Sequence, residues 1–182
     1  MSFEVFSLSK EKSSSVSQIV DHELDRIVSQ VTTYIAGLRE KAPVFSTDLT
    51  PEEIQEIREL AKKLSNFCKN KNPIIISPDF AGCGRLNSCR GDIIAEKTLY
   101  EVKSGGRAFR SIDLRQLILY LTLNKLSNKH EIENLALYNP REGFHFEMPY
   151  NEFCINFSGL SSEELCHRVS YELMLHDSGR FD

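Results

Sequence analysis

Asp92, Glu101 and Lys103 are the residues whose types and spacing point to chemistry. The apolar runs 93–95 and 99–102 flank a polar Glu96-Lys97 pair, which predicts two antiparallel strands joined by a two-residue turn. That turn sets Asp92 directly across from Glu101. Strand alternation puts Leu99, Glu101 and Lys103 on one face and Thr98, Tyr100 and Val102 on the other. One face of the hairpin thus gathers two carboxylates and an ammonium. Opposed carboxylates repel unless a cation or a shared proton relieves them. Oxygen ligands of this kind suit Mg²⁺, which lowers the pKa of a bound water and polarises a phosphoryl oxygen. The plainer alternative is a surface hairpin with one Asp and one Glu–Lys pair, a pattern that contributes little.

Ser104-Gly105-Gly106 ends the second strand, and Arg107 and Arg110 lie in the connection that follows. A helix is predicted next, with Ser111 as N-cap, Asp113 in its first turn and an apolar face of Leu114, Leu117, Ile118 and Leu121. A second stripe, Asp113, Gln116 and Tyr120, falls on one side of that helix.

Gly91-Asp92, Glu101-Val102-Lys103 and Gln116-x-x-x-Tyr120, in that order on strand, strand and helix, resemble the PD-(D/E)XK nuclease superfamily, in particular its RecB-like branch. The resemblance covers roughly residues 50 to 150, a typical domain length. It implies an α/β restriction-endonuclease-like core, a central mixed β-sheet flanked by helices. It also implies a Mg²⁺- or Mn²⁺-dependent deoxyribonuclease in which Asp92, Glu101 and the Val102 carbonyl hold the metal. Lys103 would position or activate the water, and Gln116 would hold Lys103 or that water. Arg107, Arg110 and Arg115 would contact DNA phosphates, with Tyr120 supporting the helix or touching DNA. A setting in bacterial or phage DNA repair or defence follows from the same resemblance. The chain shows no helicase or DNA-reading module, so a protein partner could select the substrate. A different class stays open: a non-catalytic nuclease-like scaffold that binds nucleic acid or a protein in a larger complex.

The 182 residues carry a net charge of −4, with ordinary globular proportions of apolar and charged residues. Charge is uneven. Between Gly82 and Lys125, eight basic side chains face four acidic ones, a local balance of +4 around the candidate site. No apolar run approaches a membrane span, the first residues do not read as a signal peptide, and five cysteines then point to a reducing cytoplasm. Some RecB-like nucleases carry an iron–sulfur cluster on one early and three late, grouped cysteines. Cys83, Cys89, Cys154 and Cys166 lack that grouping and read as buried or loop thiols.

The remaining elements are predicted to position this hairpin. An N-terminal helical extension occupies 1–49: a loosely ordered serine-rich start over 2–14, a helix over 16–38 with Val20, Leu24, Ile27, Val31, Ile35 and Leu38 along one side, and a connector. His22 on that helix reads as structural or solvated. The nuclease-like domain spans 50–182. Thr50-Pro51-Glu52-Glu53 has the form of a capping box with proline at the first helical position, and Ile54, Ile57, Ala61, Leu64 and Cys68 follow as an apolar stripe. Glu56 and Glu59 on that helix read as a solvated face.

Residues 73–76 predict a short strand and 77–90 a compact loop turning Arg85 and Arg90 towards the active face. That loop lacks the Gly-Lys-Ser/Thr ending of a P-loop. A strand over 132–138, a turn over 139–143 and alternating Phe144, Phe146 and Met148 then suggest a hairpin, with His145 structural between its aromatic neighbours. A last amphipathic helix opens at Ser161, with Leu165, Val169 and Leu173 inward and a frayed end from 176.

Overall fold

A computed structural model describes residues 1–11, 21–37 and 49–175. The chain divides into two compact units, Met1–Asn70 and Lys71–Asp182. The first unit holds three helices, α1 (Ser2–Glu11), α2 (Asp21–Gly37) and α3 (Pro51–Cys68). The helix that opens at residue 51 therefore belongs with the N-terminal unit, where it packs on α1.

α1 corrects the loosely ordered start expected there. Its serines hide three apolar residues at helical spacing, and Val5 and Phe6 are wholly buried with Leu8 beside them. In α2 the buried apolar side chains are Leu24, Ile27 and Val28, with Glu23 buried beside them in sequence. Val31 is half-buried, while residues 16–20 and 38–48 and the side chain of Ile35 lie outside what is described. α3 starts as its sequence dictates. The Glu53 amide donates to Thr50 Oγ1 at 3.2 Å, and the Thr50 amide donates to Glu53 Oε2 at 2.8 Å. Leu60, Ala61, Leu64 and Cys68 are buried, Ile54 and Ile57 half-buried, and Glu56 and Glu59 exposed.

The second unit is α/β, with a five-stranded mixed sheet. Its strands are β1 (Ile74–Ile76), β4 (Ile93–Ala95), β5 (Thr98–Val102), β6 (Asn134–Asn139) and β7 (Phe144–Pro149), ordered β1-β4-β5-β6-β7. Only β5 and β6 are parallel, and the helix α4 (Ser111–Ser127) supplies the crossover that such a pair requires. All five residues of β5 are buried, so this central strand is covered on both faces. The edge strand β7 is open to solvent along much of its length.

Leu117 and Leu121 of α4 pack with Ile94, Leu99, Leu135 and Leu137 of the sheet. Leu114 and Ile118 are half-buried against the same core. Phe153 and Cys154 come from α5 (Tyr150–Ser158) and Cys166 from α6 (Ser162–Leu175), all three buried there. α5 is absent from the sequence-based element order. Cys83 also sits in this core, and the described cysteines are free thiols. Burial pushes the Cys154 thiol up to about 11 and raises that of Cys166, which makes both poor nucleophiles. Among the described residues no helix is long and apolar enough to cross a membrane.

The 77–90 segment is more structured than a loop: β2 (Asp79–Phe80) pairs antiparallel with β3 (Cys89–Arg90). Between them Gly84 adopts φ +55°, and the Arg85 amide donates to Leu173 O at 3.3 Å, docking the segment on the end of α6. Arg85 is thereby placed at α6. A Cβ on Gly84 would lie 2.2 Å from Leu173 O. Gly84→Ala is expected to destabilise the domain by at least about 2 kcal/mol, read as a lower urea midpoint with unchanged slope.

Candidate active site

The hairpin register is the one its turn dictates. Glu96 and Lys97 both have positive φ, 50° and 66°, the pattern of a two-residue type I′ turn. Neither is glycine, and the turn is held from outside: Lys97 Nζ is 2.8 Å from both Glu131 and Glu133. The ladder pairs Ala95 with Thr98, Ile94 with Leu99 and Ile93 with Tyr100, so the next step sets Asp92 against Glu101.

Asp92 is fixed by the strand it faces. Its Oδ2 accepts the Val102 amide at 2.6 Å, so Val102 anchors Asp92 through its N–H. Gly91 precedes it because the chain passes close over an aromatic ring: a Cβ there would lie 3.0 Å from Phe80 Cε2. Phe80 in turn stacks on Tyr120, with ring centroids 5.1 Å apart and planes 13° from parallel.

Glu101 is 4% exposed. Its Oε1 accepts from Lys103 Nζ at 2.7 Å. Lys103 Nζ also donates to Gln116 Oε1 at 2.9 Å and lies 3.7 Å from Asp113 Oδ1. The relay continues along α4: Gln116 Nε2 donates to Tyr120 Oη at 2.7 Å, and Tyr120 donates to the Arg90 carbonyl at 2.9 Å. Asp92, Glu101, Lys103 and Gln116 are thus brought together on the side of the sheet that α4 covers. Burial raises the Tyr120 hydroxyl, and the Glu101 and then Asp92 charges raise it further, so it stays a proton donor.

Three expectations change here. Tyr120 is buried, stacked and hydrogen-bonded at both ends, the arrangement of a residue that supports the helix. Arg90 contributes its carbonyl, while its side chain pairs with Asp79 at 2.9 Å. The helix N-cap is Arg110, not Ser111.

Asp113 is the residue whose role the sequence understated. It is 2% exposed, its carboxylate receives both terminal nitrogens of Arg107 at 2.7 and 2.8 Å, and its Oδ2 also accepts the Arg110 amide at 2.8 Å. Arg107 is thus tied to α4, whereas Arg110 and Arg115 are exposed. The Asp113–Gln116–Tyr120 stripe was the available signal. The Arg107 hydrogen bonds, foremost, hold the Asp113 carboxyl down to about 2.

A lowered carboxyl pKa stabilises the fold above its ordinary value of 3.8, and that contribution disappears as pH falls towards 2. Arg107 is partly exposed, so solvent screening reduces the effect. Asp113→Asn is expected to lose about 1–2 kcal/mol at neutral pH and to show a shallower loss of stability between pH 4 and 2, checked by urea unfolding across that range.

No family model, curated protein or solved structure matches this chain.

Among the described residues no group of three or more His, Cys, Asp and Glu side chains is arranged to hold a metal ion. The carboxylates available are Asp92 and Glu101, the number that suits a Mg²⁺ ion retaining several waters. Glu101 Oε2 is the one buried side-chain nitrogen or oxygen among the described residues that has no hydrogen-bond partner. Burial raises the Glu101 pKa, Lys103 opposes the shift, and the charge of Asp113 adds to it. A desolvated carboxylate with an unsatisfied oxygen beside a second carboxylate is a donor set that a hard cation would relieve.

Proposed function

We propose that this chain is a metal-dependent nuclease that hydrolyses phosphodiester bonds of DNA, on a restriction-endonuclease-like core of the PD-(D/E)XK superfamily, RecB-like branch. The observation that carries this reading is Glu101, buried across the hairpin from Asp92 with one oxygen unsatisfied and Lys103 at 2.7 Å from the other. Asp92, Glu101 and the Val102 carbonyl would hold Mg²⁺ or Mn²⁺. When bound, the ion supplies a water of lowered pKa and polarises the phosphoryl oxygen.

The chain's own groups do the positioning. Lys103, as an ammonium, has donors only, so it orients the attacking oxygen and stabilises negative charge developing on the phosphate. Gln116 fixes Lys103, and Tyr120 fixes Gln116. Arg110 and Arg115 are exposed to contact phosphates, which positions the strand without reading bases. In the reaction water oxygen bonds to phosphorus and one ester oxygen leaves as a hydroxyl.

The direct test incubates the purified chain with linear, circular and single-stranded DNA in Mg²⁺, Mn²⁺ or chelator. Metal-dependent cleavage supports the nuclease. A second reading is a nuclease-like scaffold that binds nucleic acid or a protein partner, in which the Glu101–Lys103 pair serves the fold alone. Calorimetry with Mn²⁺ separates the two, because a scaffold shows no heat that depends on Asp92 and Glu101.

A further inference from the structure

A pocket of about 500 Å³ opens beside the site, lined by Arg107, Phe109, Asn139, Glu142 and Phe144 with the 106–108 backbone. That volume lies within the roughly 300–1,000 Å³ of small-molecule sites. It adjoins the carboxylates through one residue: Arg107 forms part of its wall and is clamped to Asp113, which lies 3.7 Å from Lys103.

The walls are built rather than incidental. Asn139 is buried; its Nδ2 donates to Gly105 O at 3.1 Å, and its Oδ1 accepts the amides of Arg141 and Glu142 at 2.9 and 3.3 Å. Arg141 Nε donates to Ser104 O at 3.1 Å. These bonds tie the β6–β7 turn to the segment that follows Lys103. Phe109 and Phe144 supply the apolar surface, with ring centroids 5.8 Å apart and planes at 35°. Phe144, at the start of β7, is 56% exposed.

The Phe144 ring, exposed at the pocket mouth and tilted against Phe109, offers a face on which a flat apolar group can stack. Arg107 is already bound to Asp113, so phosphate contact falls to the exposed Arg110, one residue beyond Phe109, whereas the Glu142 carboxylate repels phosphate and accepts hydrogen bonds from base N–H groups. A nucleotide satisfies both ends. A base paired in a duplex cannot, because its faces are already stacked. We infer that this pocket holds an unstacked base of single-stranded DNA against Phe144, next to the scissile phosphate. The inference rests on the nuclease reading of the adjacent site and names its substrate as a single strand.

The test is fluorescence anisotropy of a labelled single-stranded oligonucleotide and of the duplex of the same sequence, with the full chain and chelator present so that nothing is cut. Wild type is expected to bind the single strand more tightly. Phe144→Ala should weaken single-strand binding about tenfold and leave duplex binding unchanged, and Phe144→Trp should restore it. Unchanged single-strand affinity in Phe144→Ala, or equal weakening on both substrates, overturns the proposal. Metal-dependent cleavage by wild type is measured in parallel. Phe144-dependent binding without cleavage supports the pocket and removes the nuclease reading. Cleavage with single-strand binding indifferent to Phe144 removes the pocket alone.

Discussion

Asp92→Asn lowers metal-dependent cleavage by about a thousandfold or more, while the melting temperature measured in chelator stays near that of wild type. The expectation follows from separating what Asp92 does for the fold from what its charge does. Structurally, one oxygen accepts the Val102 amide at 2.6 Å, and an asparagine oxygen of the same shape still accepts it. The hairpin register, set by the Glu96-Lys97 turn, is untouched. What is lost is one of two negative charges that would hold the cation, and several kcal/mol of transition-state stabilisation corresponds to about three powers of ten. Lys103→Met is expected to lose on the order of a hundredfold to a thousandfold, because it removes one charged donor aimed at developing charge. Wild-type rates in either purified, folded variant would remove the mechanism.

The parts legible in the sequence were those where short-range geometry leaves one solution. A two-residue turn admits one register, so the facing of Asp92 and Glu101 followed from Glu96-Lys97 alone. The Gln116 and Tyr120 side of α4 followed from helical periodicity. Burial decided by distant contacts was not legible. Asp79–Phe80 and Cys89–Arg90 form a ladder of two pairs, too short for any period, and what holds Phe80 there is its stacking on Tyr120 and edge-on packing with His130. α1 was masked by its serines, since three apolar positions carry it. Asp113 looked like an ordinary first-turn acid, and nothing local shows that Arg107 folds back onto it. Nor does strand alternation show that Phe144 meets the ring of Phe109, 35 residues earlier in the chain.

Glu101→Gln is expected to abolish cleavage and yet raise the melting temperature at neutral pH in chelator, on the order of a few degrees. Burial raises the Glu101 pKa above its ordinary 4.5 despite the Lys103 partner at 2.7 Å, so the folded protein binds this proton more readily than the unfolded chain does. Stability from this group therefore falls as pH rises from 4.5 through the raised value, and above that window the folded state carries the full penalty of a desolvated charge. A neutral glutamine avoids the penalty and fills the same volume, and its carbonyl oxygen can still accept from Lys103. The advantage of the variant should vanish below pH 4.5, where wild type is protonated in both states. Added Mg²⁺ should reverse the order at neutral pH, because an ion bound to the native state stabilises wild type by mass action and leaves the glutamine variant unmoved. If the variant instead melts lower in chelator at neutral pH, the Glu101–Lys103 pair is a structural anchor, and the carboxylate is not a ligand held in reserve for a cation.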